Sequence, residues 1–114
     1  MNIETLQDIC SKFAGVTEDI KWECHLCFCV AEKIFIITSP DDVPISASFK
    51  VSEEEFDELT ERDGFKQAAH LAKRQWVRID DINLMSKKEW EQRARNAYDL
   101  IKAKLPKKIQ ASLK

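Results

Sequence analysis

Hydrophobic positions along this chain fall into blocks whose periods differ. In residues 3–13, Ile3, Leu6, Ile9, Cys10 and Phe13 recur at three- and four-residue spacing, which places them on one face of a helix. Gly15 follows, a residue that tolerates the left-handed conformation in which helices commonly stop. Across residues 21–30 the period falls to two. Trp22, Cys24, Leu26, Phe28 and Val30 point one way, and Glu23, His25, Cys27 and Cys29 the other, as along a strand. Residues 33–38 hold Ile34, Phe35, Ile36 and Ile37 in a row, the composition of a central strand covered on both faces. Beyond Pro40-Asp41-Asp42, the residues Ile45, Ala47, Phe49 and Val51 alternate with Ser46, Ser48 and Lys50, which predicts a third strand with one wet face.

Ser52 with Glu55 has the spacing of a capping box, so a helix is predicted from there to about Arg62, closed by Gly64. Residues 65–75 are less regular, with a short helical turn expected over 68–73. Residues 76–80 read as a fourth strand with Val77 and Ile79 facing in. Ser86 and Glu89 repeat the capping-box spacing ahead of a long stripe, Trp90, Ala94, Ala97, Tyr98, Ile101 and Leu105, which Pro106 ends. The class that follows is α+β: an antiparallel sheet of about four strands with helices packed on it, as one domain over residues 1–114. There is no internal repeat and no linker.

Apolar residues at 44% and charged residues at 33% suit a folded domain and are too apolar for disorder. No apolar run approaches the roughly 20 residues that span a bilayer, and Glu4 interrupts any signal-like start, so a cytoplasmic location and no membrane partner are expected. Cys10, Cys24, Cys27 and Cys29 are then expected as reduced thiols. Gly15 and Gly64 are the only glycines, too few for a P-loop or a dinucleotide fingerprint. The net charge of −2 is unevenly spread: residues 87–114 carry nine basic and three acidic groups, which gives the chain a basic C-terminal pole.

Several runs resemble the MmcQ/YjbR family. They are Gly15-Val16-Thr17-Glu18 with Trp22, the stretch from Phe28 to Phe35, the stretch from His70 to Trp76, and the ending from Tyr98 to Lys108. The resemblance implies a CyaY-like fold, similar to bacterial frataxin, with a strongly curved antiparallel sheet. It also implies DNA binding through a double-wing arrangement of hairpins. Glu23 stands where the family often has a glycine after the tryptophan, and Ala31-Glu32 where its hairpin turn is often glycine-rich. An acidic wing tip repels phosphate.

Cys24, His25, Cys27 and Cys29 are zinc-ligand types, but on one strand Cys24 and Cys27 face opposite ways and the remainder lack a fourth ligand. Buried thiols and no metal are the reading. Glu53, Glu54, Glu55, Asp57, Glu58 and Glu61 are similar to the acidic ridge with which frataxins bind iron, but they sit on the second helix rather than the first. The dipole and a solvated face account for them. His25 and His70 lie in no nucleophile motif, so neither an enzyme nor a cofactor is expected. A strand beginning at Arg74 would put Arg74, Trp76 and Arg78 on one face, where arginines beside an aromatic can clamp phosphate and stack on bases, although Trp76 also suits a packed position under a helix. Lys73, Lys104, Lys107 and Lys108 complete the candidate nucleic-acid surface, with the qualification that cations are favoured at a helix end by its dipole alone. The expectation is a monomer that touches DNA weakly and without sequence preference. The alternative is a protein-interaction module using the Ser46 and Ser48 face and the acidic helix.

Overall fold

Four residues other than glycine adopt left-handed backbone at two turns, and these turns set the register of the sheet: Trp22 (φ 52°), Glu23 (66°), Ala31 (47°) and Glu32 (67°). The computed structural model describes residues 1–113. Its elements are α1 (Ile3–Ser11), β1 (Val16–Lys21), β2 (His25–Val30), β3 (Lys33–Ser39), β4 (Ser46–Lys50), α2 (Glu53–Leu59), β5 (Phe65–Gln67), β6 (Trp76–Ile79), a 3-10 turn (Ile82–Leu84), α3 (Lys87–Lys102) and α4 (Lys107–Ser112). The fold is α+β with an antiparallel sheet. That sheet has six strands in the order β1-β2-β3-β4-β6-β5, not about four.

The run 21–30 is therefore not one strand. The chain reverses at Trp22, Glu23 and Cys24, with Lys21 paired to His25. β1 escapes a pattern reading because Thr17, Glu18 and Asp19 fill its centre and four of its six residues are exposed. β5 is only three residues long, with Phe65 alone buried. The helical turn expected over 68–73 is absent. That stretch makes successive turns, with His70 (φ 63°) and Arg74 (φ 61°) left-handed.

β2 and β3 meet at the two-residue turn Ala31-Glu32, with Val30 paired to Lys33. A two-residue hairpin turn with both φ values positive favours Asn-Gly or a similar pair. A side chain in that conformation costs roughly 1–2 kcal/mol, part of which glycine's greater unfolded freedom offsets. Glu32→Gly should accordingly stabilise the protein by about 1 kcal/mol, read as a higher urea midpoint. A midpoint at or below the parent's would show that this turn carries no strain.

The buried core lies between one face of the sheet and helices α1 and α3. A bulge explains the apolar run in β3. Phe28 pairs with Ile36 and Cys29 with Ile34, so Phe35 is the extra residue and joins Ile36 on the helix side. Phe35 meets Tyr98 edge-on at 5.7 Å between ring centroids.

The other face of β4 is not wet. Ser46 is buried and donates to Asp42 Oδ2 at 2.8 Å, and Lys50 is 5% exposed. Ala69, His70 and Leu71 lie against this side, sharing a groove with Ile37 and Ser48.

Ser52 and Glu55 form both halves of the predicted capping box. The free Glu55 oxygen takes Arg93 at 2.9 Å and Asn96 at 3.2 Å, which ties α2 to α3. At Ser86 only half of the box forms, with the Glu89 amide donating to Ser86 Oγ. The Glu89 carboxylate turns instead to Arg62 at 2.6 Å, whose hydrogen bond holds its pKa below the usual carboxylate range. No helix among the described residues is long and apolar enough to cross a membrane.

Candidate nucleic-acid interface

All five arginines are committed to carboxylates. Arg62 pairs with Glu89, Arg74 with Asp57 (3.2 Å), Arg78 with Asp80 (3.1 Å) and Asp42, Arg93 with Glu55, Glu58 and Glu89, and Arg95 with Asp99. The structure separates the predicted trio of Arg74, Trp76 and Arg78. β6 begins at Trp76, and the left-handed turn at Arg74 sends its guanidinium to Asp57 and over the Phe56 ring on α2. Trp76 is 9% exposed, with the Lys50 amine 6.0 Å from its ring centroid, so it offers no stacking face to a base. Arg78 stays on the outer sheet face, paired through Ser48 to β4, but two acids neutralise it.

The lysines behave differently. Among the described residues, Lys33, Lys50, Lys73, Lys87, Lys88, Lys102, Lys104, Lys107 and Lys108 have no carboxylate within 4.0 Å. Lys33 and Lys104 line one pocket with Ile34, Ile101 and Leu105. The charge of Lys104 also acts on the Lys50 amine. Lys50 donates to Gln75 Oε1 at 2.6 Å. Burial first, and then Lys104, push the Lys50 pKa down from 10.5 to about 8. Lys107 and Lys108 are exposed in the first turn of α4, a short helix that follows the Pro106 stop. The dipole argument does not explain them, because a helix start disfavours cations. Lys73 is exposed in the turns before β6 and does not line the pocket that holds Lys33 and Lys104.

Two features escaped the alternation pattern. Trp22, expected to share a strand face with Leu26, is 65% exposed at its turn and lies edge-on to His25 at 5.9 Å. It borders a groove of about 420 Å3 whose lining includes His25, Ser48, His70 and Arg78. The His25 ring engages the Thr38 carbonyl and Ser39 Oγ through Nδ1. Cys24 is exposed at the same turn, whereas Cys10, Cys27 and Cys29 are buried. Burial pushes the thiols of Cys10 and Cys27 up to about 12 and about 11.

The YjbR family model matches residues 11–100. Among solved structures, a Deinococcus radiodurans protein with a DUF419 domain superposes with a TM-score of 0.88 at 20% identity, over 97% of this chain and 86% of its own. A Pseudomonas syringae protein does so with a TM-score of 0.72 at 20% identity, over 88% of this chain and 98% of its own. At that identity the likeness concerns the fold. No curated protein matches.

Proposed function

The chain belongs to the YjbR family, and from that membership and its unpaired lysines we propose that it is a non-catalytic protein that binds DNA weakly and without sequence preference. The contact surface is the end of α3 with α4: Lys33, Lys104, Lys107 and Lys108. The observation that carries the reading is the division of labour among the cations. Arginines hold the fold together through carboxylates, while the lysines of this end face no acid and remain free for phosphate. Lysine is a point charge with no planar fork, which suits backbone contacts and reads no base edge. Arg74, Trp76 and Arg78 drop out of the surface for the reasons of pairing and burial given above.

Phosphate contact predicts a steep salt dependence, with the slope of log affinity on log salt near −0.9 for each contact. Labelled duplex titrated at about 50 mM salt should bind, and binding should be lost by about 200 mM. Lys107→Ala with Lys108→Ala should reduce the slope by up to about two contacts while leaving the melting temperature unchanged. No binding at low salt with tens of micromolar protein would refute the proposal.

A protein partner is the second reading, supported by Trp22 standing exposed beside the groove on the outer sheet face. Its contact surface keeps Ser48 of the expected face but not Ser46, which is buried, and of the α2 acids Glu55, Asp57 and Glu58 are paired. Affinity capture with and without nuclease separates the two readings. A partner retained after nuclease treatment and lost in Trp22→Ala would favour protein.

A further inference from the structure

The pocket at the C-terminal end of α3 joins an apolar wall to a cationic rim. Ile34, Ile101 and Leu105 form the wall, Lys33 and Lys104 the rim, and the volume is about 390 Å3. That falls in the range of small-ligand sites, roughly 300–1,000 Å3. Behind Lys104 stands Lys50, 5% exposed, with one neutral acceptor, Gln75 Oε1, and an aromatic ring nearby. A buried ammonium is ordinarily paired with an anion, because it has lost its water. Here its neighbour is another ammonium, and among the described residues no carboxylate comes within 4.0 Å of Lys33, Lys50 or Lys104. Two cations without a carboxylate partner on the rim of an open apolar recess, with the charge of Lys50 close to one of them, form half of a recognition site.

We propose that this pocket binds a small organic phosphate monoester, with its phosphate on Lys33 and Lys104 and its apolar body on Ile34, Ile101 and Leu105. The dianionic charge answers two rim lysines, one of them beside a further cation at Lys50, better than a single carboxylate does. The three rotatable donors of each lysine suit phosphate oxygens, and no arginine fork is present to select a planar carboxylate. The apolar wall sets the second requirement, because inorganic phosphate leaves it uncovered. The site shares Lys33 and Lys104 with the proposed DNA surface but stands whether or not duplex binds.

The test is titration with phenyl phosphate at constant ionic strength, followed by calorimetry and by the lysine resonances in NMR, with inorganic phosphate and benzyl alcohol as comparisons. Phenyl phosphate should saturate and move the Lys50 and Lys104 signals, and inorganic phosphate should bind more weakly. Lys104→Met should weaken phenyl phosphate about ten-fold or more through the loss of a charge-assisted hydrogen bond. Lys107→Ala with Lys108→Ala should leave phenyl phosphate binding unchanged even where it abolishes duplex binding. No saturation by about 10 mM would overturn the proposal. So would equal affinity for inorganic phosphate, which would mark an adventitious anion only. If the Lys107 and Lys108 changes weaken both ligands together, the pocket is merely part of the DNA surface and the inference fails.

Discussion

Trp90→Ala is expected to lose about 3–5 kcal/mol of folding stability, a large share of the roughly 5–15 kcal/mol that a domain holds in total. Trp90 is fully buried on α3 and meets Phe49 of β4 edge-on at 5.4 Å, so truncation opens a cavity where helix and sheet join. Its indole Nε1 donates to the Ile82 carbonyl at 2.8 Å. The change therefore also strips a buried acceptor of its partner and frees the 3-10 turn that leads into α3. Urea denaturation followed by circular dichroism should give a variant largely unfolded, or with a midpoint far below the parent's. A native midpoint would mean that α3 does not pack as described.

The position of Trp90 was legible because helix signals are local. The stripe from Trp90 to Leu105, the Ser52 and Glu55 box and the stop at Gly15 all lie within a turn or two of the features they predict. Strand limits were less legible, because they depend on turns whose residues carried no turn signature. Trp22, Glu23, Ala31 and Glu32 occupy left-handed positions without a glycine or asparagine among them. Alternation consequently runs on through the first turn, which joins Lys21 to β2 and puts Trp22 on the face of Leu26, while β1, polar at its centre, shows no pattern.

The candidate site divides along the same line. The basic pole is visible in composition, and so are the i,i+4 pairs of Arg93 with Glu89 and Arg95 with Asp99, but the ties of Arg74 and Arg93 to acids far along the chain are not. Arg74 reaches an acid 17 residues away, and Arg93 one that is 38 away. Alternation placed Lys50 on a wet face. Trp76 of β6, Gln75 just before it and Lys104 beyond the end of α3 surround it there.

Lys50→Met should stabilise the folded protein near pH 7 by about 2 kcal/mol, an unusual outcome for removing a lysine. The folded-state pKa of Lys50 is about 8, against an ordinary 10.5, first because it is buried and second because of Lys104. Below pH 8 the amine is charged in the folded and unfolded chain alike, and the fold bears the full cost of that buried charge, about 3 kcal/mol. Between pH 8 and 10.5 the unfolded chain keeps a proton that the folded chain has released, so the parent's stability rises with pH across that window. Methionine keeps the length and the packing on Trp76 without the charge, but leaves Gln75 Oε1 without its donor, which subtracts about 1 kcal/mol. The groups that face this amine are Lys104 from the end of α3, Gln75 and Trp76 at the start of β6, with Lys33 across the adjoining pocket. Paired denaturation curves should show the variant ahead near pH 7 and its advantage gone by about pH 10, once the parent's amine is neutral. A gap that does not change with pH would show that Lys50 is not held as a strained cation. Saturating phenyl phosphate should narrow the gap at pH 7 from the other side, because a bound dianion offsets in the parent the same charge that the variant has lost.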